Sequence, residues 1–289
     1  MVSSGRTDDV LTVLGILGNI TAMGLFLAPM PTFYKICKAK STGQYSALPY
    51  IATLLNCMLW TFYGSHAVAG LIFVLSINVA GLIIEGCYLT IHLLFGTHST
   101  RKKTSILLAV ISILYGAIVS VVLVEFPKKG DRTEIVGSAC VIFGVLMYAA
   151  PLSVMKEVIR SQSVASMPFL LSFACFCNGF IWTAFGTIKK DIFIYIPNGL
   201  GTILSVMQLV LYCVYYKKGV RKSQSSTTTA LNLSQHAVDV DKLAKQPSGR
   251  VQMDQLSADS NLNQCDLSKK PDLNQNDTAL VALSRDARA

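Results

Sequence analysis

Two stretches of the chain, NCMLWTFYG at residues 56–64 and NGFIWTAFG at residues 178–186, decide how the whole sequence is organised. When the first stretch is shifted by 122 residues, three of its residues align with identical residues of the second. Asn56 aligns with Asn178, Trp60 with Trp182, and Gly64 with Gly186. The chain has only two Trp residues, and they pair with each other. This pairing indicates an internal duplication.

The duplication extends well beyond these stretches in both directions. At the same shift, Ala28-Pro29 matches Ala150-Pro151 and Ser41 matches Ser163. At a shift of 120 the further matches are Phe73 with Phe193, Asn78 with Asn198, and Gly81 with Gly201. Pro49 and Pro168 correspond only if a small gap is allowed. An ordered set of this size predicts a repeated unit of three helical segments.

The composition predicts that these segments lie in a membrane. Of 289 residues, 52% are apolar and only 14% are charged, whereas soluble domains are about 25% charged. The basic residues form short clusters between apolar runs, which is not typical of a nucleic-acid-binding surface. The eight cysteines form no CxxC pair and are interpreted as apolar packing residues. A soluble enzyme, a nucleic-acid partner and a secreted disulfide scaffold are thereby disfavoured.

Seven apolar runs are long enough, or nearly so, to cross a bilayer as helices. They lie at 10–31, 48–64, 71–96, 105–126, 134–155, 168–187 and 192–216. Because three spans repeat on either side of a fourth, both copies face the same way. The predicted fold is an all-α membrane protein with two parallel three-helix bundles joined by a linker helix. The corresponding segments are a first repeat at 1–96, the linker at 97–130, a second repeat at 131–216 and a tail at 217–289.

The distribution of basic residues predicts the orientation. The clusters at 35–40, 101–103, 156–160 and 217–222 hold twelve Lys and Arg residues, whereas the opposite side holds six, at 6, 128–132 and 189–190. Positive charge accumulates on the cytoplasmic side, which predicts an outward N-terminus and a cytosolic C-terminus. The polar tail has too few apolar residues to form a core, so we expect it to be disordered.

Polar residues inside membrane spans are costly and usually functional, and here they are duplicated. Each Trp follows an Asn by four residues, which places both on one helix face. Amides hydrogen-bond hydroxyl groups, and flat aromatic rings contact C–H faces, so the set suits a sugar. The alternative is that the Asn residues join helices and that the Trp residues lie at the membrane interface. Catalytic, phosphate-binding and metal-binding motifs are missing from the sequence, so we expect no enzyme activity, metal or cofactor.

The membrane body, at about 10–216, resembles the SWEET family of sugar facilitators, also called the MtN3/saliva family, and most resembles its plant members. The residues that carry the resemblance are Gly15-Ile-Leu-Gly-Asn-Ile20, Leu27-Ala-Pro-Met-Pro-Thr-Phe33, Lys40-Ser-Thr42, Leu48-Pro-Tyr50, Ile77-Asn78, Ala149-Ala-Pro-Leu-Ser153, Ser166-Met-Pro-Phe169 and Ile196-Pro-Asn-Gly199.

The resemblance implies a role for several sets of residues. The sugar site would comprise Trp60, Trp182, Asn78 and Asn198. The hinges would be Pro29, Pro49, Pro151 and Pro168, although Pro49 and Pro168 lie at span starts and could simply mark helix ends. The gates would be Tyr63 with Asp191 outside and Tyr45 inside. Leu25, Asn56, Met147 and Asn178 occupy the positions that separate monosaccharide from disaccharide carriers in this family. They are larger than in the disaccharide carriers, which implies a hexose substrate.

Facilitated diffusion in both directions is the expected mode of transport. The alternatives are a proton-coupled sugar carrier and a seven-helix receptor, and a receptor would not carry the three-span duplication. Proton-driven carriers keep ionisable groups deep in the membrane, and Glu85 is the residue that could play that role here. We interpret it instead as a helix-end carboxylate paired with the backbone or a loop cation. The resemblance further implies a plasma or vacuolar membrane, contact with lipid, and homo- or hetero-oligomers.

Overall fold

The computed structural model describes residues 2–216, with side chains from Gly5 onward, and the predicted tail at 217–289 lies outside the described residues. All regular secondary structure in the described part is helical. Its helices are α1 Val2–Leu27, α2 Met30–Ala39, α3 Leu48–Gly64, α4 Ile72–Phe95, α5 His98–Glu125, α6 Lys129–Met147, α7 Ala149–Ser161, α8 Phe169–Lys189 and α9 Ile192–Tyr216. These helices confirm the all-α class and the seven predicted spans.

The seven spans are six long apolar segments and one shorter helix. The six are Gly5–Ala39, Ile72–Phe95, His98–Glu125, Lys129–Ser161, Phe169–Lys189 and Ile192–Tyr216, which are long and apolar enough to cross a membrane. The remaining span, α3, is the second along the chain and has 17 residues, which is at the lower end of the range for a transmembrane helix. Many large apolar side chains on these helices are exposed, for example Ile113 at 72% and Val124 at 76%, as expected for surfaces that face lipid.

The first and fifth spans are each two helices joined at a break, and both continue past the predicted ends at 31 and 155. In the first span the break is at Ala28 and Pro29, where Pro29 is the N-cap of α2. In the fifth span it is at Tyr148, just before Pro151. A proline cannot donate the helical hydrogen bond, yet it is well tolerated in the first turn of a new helix. The chain therefore bends at each break and continues as a second helix.

The two repeats make the same internal contacts. In the first repeat, the Cα of Gly15 on α1 faces the ring of Phe73 on α4, and a Cβ at that position would overlap the ring. In the second, Gly137 on α6 faces the ring of Phe193 on α9 in the same way. The two pairs correspond by the sequence shifts of 122 and 120. Only glycine permits such an approach, so these contacts support the predicted duplication.

The helix pairs α1 with α8 and α3 with α6 join the two repeats, while α5 packs against α3, α4 and α6. We name the two ends of the bundle after residues near them. The Asp191 end contains the start of α1 and the α8–α9 connection, and the Tyr45 end contains the α2–α3 connection. The largest buried cluster includes Leu59, Tyr63 and Cys140 and joins residues from both repeats.

Candidate functional site

A cavity of about 380 Å³ lies between the two repeats, within the size range of small-molecule sites. We call it the central cavity. All eight residues predicted to contact substrate line it: Leu25, Asn56, Trp60, Asn78, Met147, Asn178, Trp182 and Asn198. The structure thus brings together side chains from α1, α3, α4, α6, α8 and α9, which lie far apart in the sequence.

Asn78 and Asn198 are held in the same way in the two repeats. The Asn78 amide nitrogen donates to the carbonyl of Val74 at 2.8 Å, and the Asn198 amide nitrogen donates to the carbonyl of Ile194 at 2.8 Å. Each bond reaches back one helical turn and fixes the side chain. An amide has two N–H donors and an accepting oxygen, so each side chain keeps one N–H and its oxygen for a ligand.

Asn56 and Asn178 differ in their hydrogen bonds although they correspond in the repeat. The oxygen of Asn178 accepts a hydrogen bond from the hydroxyl of Thr21 at 3.0 Å. The oxygen of Asn56 is buried and has no partner among the described residues. A buried polar atom without a partner costs about 1–3 kcal/mol, and such atoms in native proteins call for a specific explanation. A ligand or water that donates to Asn56 would remove this cost.

The two indoles are fixed by edge contacts to an aromatic neighbour three residues further along the helix. The Trp60 ring meets Tyr63 with centroids 5.5 Å apart and planes at 83°. The Trp182 ring meets Phe185 with centroids 5.4 Å apart and planes at 69°. Edge-to-face pairs of this kind are favourable. The cavity therefore has two preorganised aromatic walls, one from each repeat.

The Asp191 end of the bundle is closed by a direct contact between the repeats. The hydroxyl of Tyr63, which is fully buried, lies 2.7 Å from one carboxylate oxygen of Asp191 and 2.9 Å from the other. Asp191 also accepts hydrogen bonds from the backbone N–H groups of Phe193 and Ile194, as a residue before a helix N-terminus does. The two residues predicted as the outward gate are therefore in contact.

Tyr45, the predicted inward gate, is in a different state. Its side chain is 45% exposed, and its hydroxyl makes no hydrogen bond with any residue that the structure describes. The conformation is thus closed by side-chain contact at the Asp191 end and has no matching contact from Tyr45 at the opposite end.

The four predicted hinge prolines occupy two kinds of position. Pro29 and Pro151 lie at the breaks within the first and fifth spans. Pro49 is in the first turn of α3, and Pro168 is the N-cap of α8. A proline at a helix start removes no helical hydrogen bond, so Pro49 and Pro168 mark helix ends in this structure. The two breaks are the places where the chain can bend inside a span.

Sequence reasoning missed part of the cavity wall. Tyr148, Pro197 and Gly144 also line it, and the hydroxyl of Tyr148 donates to the carbonyl of Pro197. Tyr148 corresponds to Phe26 by the shift of 122, and Phe26 lines the cavity too. Extending the repeat to non-identical residues would have found this pair.

Our interpretation of Glu85 as a paired helix-end carboxylate is wrong. Glu85 lies well inside α4, ten residues before its end at Phe95, and is only 3% exposed. One of its carboxylate oxygens is buried with no partner among the described residues. It does not line the central cavity but interacts electrostatically with Tyr50 and Tyr88.

A duplicated helical membrane protein, closed at one end around a cavity lined by paired amides and indoles, has the architecture of a carrier that works by alternating access. A sequence profile of one transporter family, MtN3_slv, described as "sugar efflux transporter for intercellular exchange", matches residues 12–102 and 134–219. The two matched regions correspond to the two repeats. The chain belongs to this family, which is also known as the SWEET family and whose repeats are a standard example of the parallel arrangement. The family consists of transporters, so the chain is not an enzyme.

Curated plant relatives are similar over most of the chain. Bidirectional sugar transporter SWEET7b of Oryza sativa subsp. japonica is 46% identical over 220 residues, which is 76% of this chain and 83% of the relative. Bidirectional sugar transporter SWEET4 of Oryza sativa subsp. indica is 47% identical over 211 residues, 73% of this chain and 82% of the relative. SWEET4 of Arabidopsis thaliana is 45% identical over 206 residues, 71% of this chain and 82% of the relative.

A solved structure shares the fold. The 3.7 Å structure of a eukaryotic SWEET transporter aligns with a TM-score of 0.71 at 37% sequence identity, covering 73% of this chain and 99% of that one. This similarity supports the seven-span arrangement of three, one and three helices.

Proposed function

We propose that this protein is a bidirectional facilitative sugar transporter that moves hexoses such as glucose down their concentration gradient. The observation that carries the proposal is the pair of equivalent amides, Asn78 and Asn198, one from each repeat, which are held by the same hydrogen bond and line the same cavity. Each of these two amides can exchange hydrogen bonds with the hydroxyls of a sugar. The indoles of Trp60 and Trp182 supply apolar walls for its C–H faces.

The test is uptake of radiolabelled glucose, fructose and sucrose in a cell that lacks its own carriers. We expect glucose uptake by the wild type and none by Asn78→Ala or Asn198→Ala, with both variants present in the membrane at wild-type amounts. Thr90→Ala is the matched control, because Thr90 lies on the same helix as Asn78 but is exposed and bonds only its own helix. Glucose uptake that survives both Asn substitutions would overturn the proposed site.

The side chains at four positions of the central cavity favour a monosaccharide. Leu25, Met147, Asn56 and Asn178 narrow the space between the repeats. Forcing extra volume into a packed site costs about 1–3 kcal/mol, which is about a 5- to 150-fold loss of affinity. Sucrose uptake well above glucose uptake would contradict the hexose assignment.

Uniport is favoured over proton coupling because the residues lining the central cavity include no Asp, Glu, Lys or Arg. Glu85, the one buried carboxylate on α4, lies away from it. A proton would therefore have to act from outside the sugar site. Uptake that collapses when the pH gradient is removed would count against uniport.

The positive-inside pattern supports an outward N-terminus, so that the Asp191 end faces outward and the Tyr45 end faces the cytosol. Tyr63 and Asp191 would then form the outward gate and Tyr45 part of the inward one. We propose the plasma membrane as the site of action, with the vacuolar membrane as the alternative. A tag placed before residue 5 should be reached by antibody on intact cells, and a tag after residue 289 should not.

A further inference from the structure

A second cavity, of about 410 Å³, lies inside the second repeat at its Tyr45 end. We call it the side cavity. It is bounded by α7, α8 and α9, and it shares Leu25, Tyr148, Asn178 and Asn198 with the central cavity. The two cavities are therefore neighbours that share part of their walls.

At the equivalent place in the first repeat, three aromatic rings pack against one another. The rings of Phe33 and Tyr88 are stacked with centroids 4.3 Å apart, and the edge of Tyr50 meets Phe33 at 4.8 Å. The shift of 122 that matches Asn56 with Asn178 on α3 and α8 places Tyr50 on Ser172, because the gap needed to pair the two prolines lies at the helix starts. The same shift places Phe33 on Met155, and the shift of 120 places Tyr88 on Gln208. Ser172 and Gln208 both line the side cavity. The second repeat thus has a serine and a glutamine where the first has two tyrosines, and the smaller or more flexible side chains leave space there.

The exchange has also changed the chemistry of this place. Ser172 is a buried residue, 4% exposed, and neither its hydroxyl nor the amide of Gln208 makes a hydrogen bond with any described residue. Ser205 donates to the carbonyl of Gly201 and keeps its lone pairs to accept. Polar groups at membrane depth are costly unless they bind something. Together with Asn178 and Asn198, they give the side cavity the amides and hydroxyls that suit a neutral polyhydroxylated ligand.

We propose that the side cavity is a second sugar-binding subsite, occupied by the hexose between the central cavity and the Tyr45 end. This rests on the proposed function, because it takes the transported sugar as its ligand. Ser172 and Gln208 bind hydroxyl groups there, while Asn198 belongs to both subsites. The sugar thus exchanges one set of amide and hydroxyl partners for another as it leaves the central cavity. The first repeat, filled by its aromatic cluster, offers no equivalent subsite.

Cys175 lines the side cavity but not the central cavity, which provides a native reporter. The purified full-length protein is treated with N-ethylmaleimide with and without glucose, and modification of each cysteine is followed by mass spectrometry. At a glucose concentration about ten times the dissociation constant of the subsite, Cys175 should react about tenfold more slowly, because only the unoccupied fraction reacts. Cys213, which is exposed and outside both cavities, should react at an unchanged rate.

Three variants separate the two subsites. Asn78 lines only the central cavity, so Asn78→Ala should abolish transport but keep the protection of Cys175. Gln208→Leu preserves the side-chain size and removes the amide, so it should raise the protecting glucose concentration about tenfold, the effect of losing one hydrogen bond. Ser172→Ala should act in the same direction. Tyr88→Phe, the change at the equivalent position in the first repeat, should leave the protection unchanged.

Several results would overturn the subsite. Protection that disappears in Asn78→Ala would show that glucose occupies the central cavity alone. Protection that is unaffected in both Gln208→Leu and Ser172→Ala would show that these groups bind no sugar. A Cys175 thiol that does not react even without glucose would show that the cavity is closed to solutes. A wild type that transports glucose without protecting Cys175 would refute only the subsite, whereas one that transports no sugar would refute the proposed function.

Discussion

Removing the Tyr63 hydroxyl should open the Asp191 end of the bundle by a measurable amount. In the closed conformation this hydroxyl lies 2.7 Å and 2.9 Å from the two oxygens of Asp191. It carries a single hydrogen, so the two distances represent one hydrogen bond. A hydrogen bond to a charged group contributes about 1.5–3 kcal/mol. In Tyr63→Phe, the ratio of closed to open forms should therefore fall about 10- to 150-fold.

The native thiol of Cys140 can report this change. Cys140 is fully buried and belongs to the same cluster as Tyr63, at the interface between α3 and α6. A thiol reagent can reach it only when the helices separate, so its labelling rate follows the population of the open form. In the purified Tyr63→Phe protein, the reagent should label Cys140 about 10- to 150-fold faster than in the wild type. This increase holds until the rate of opening itself limits labelling.

A second tyrosine provides the matched control. Tyr115 on α5 packs against the same cluster, but its hydroxyl bonds no residue within the described chain. Tyr115→Phe should therefore leave the labelling rate of Cys140 unchanged. Equal rates for Tyr63→Phe and the wild type, or equal acceleration by both substitutions, would refute the conclusion that the Tyr63–Asp191 bond holds this end closed.

Three further predictions follow from other contacts. Gly137→Ala would place a methyl group against the ring of Phe193. It should lower the free energy of unfolding by about 1–3 kcal/mol, which would be measured as a lower melting temperature of the purified protein. Gly24→Ala is the control, because no atom lies within 4 Å of the new Cβ, and it should leave the melting temperature unchanged. Glu85→Gln should retain glucose uptake with and without a pH gradient, and loss of uptake only in the presence of a gradient would reinstate proton coupling. Met147→Ala should raise sucrose uptake relative to glucose uptake by enlarging the central cavity, and an unchanged ratio would show that Met147 does not limit substrate size.

The span pattern and the duplication were predictable because they depend on properties that the sequence displays directly. Apolar length identifies a membrane span, and identical residues at a fixed shift identify a repeat. The ends of the first and fifth spans were not predictable in this way. Helices α2 and α7 continue the first and fifth spans past their breaks. They contain charged residues such as Lys35 and Lys156, so their sequences are more polar than a typical membrane segment.

The candidate site was predictable as far as the two repeats carry the same residues. Two pairs are identical in both repeats, Asn78 with Asn198 and Trp60 with Trp182, and can be recognised from the sequence alone. All four residues line one cavity. Hydrogen bonding is less symmetric than the sequence, since Thr21 binds the amide of Asn178 and nothing described binds the oxygen of Asn56. A repeat fixes where residues lie, but each side chain's partners depend on neighbours that have diverged.

Divergence between the repeats therefore carries functional information that identity does not. Tyr50 and Tyr88 fill the first repeat, whereas Ser172 and Gln208 leave a cavity in the second. The same comparison sets Glu85 against Ser205, and Glu85 lies buried beside the aromatic cluster. A packed first repeat can act as a rigid wall, while a second repeat that contains a cavity and the break at Tyr148 has space into which its helices can move. The two halves of this carrier are thus equivalent in topology and unequal in packing. On this physical basis we expect the second repeat to undergo the larger displacement during transport.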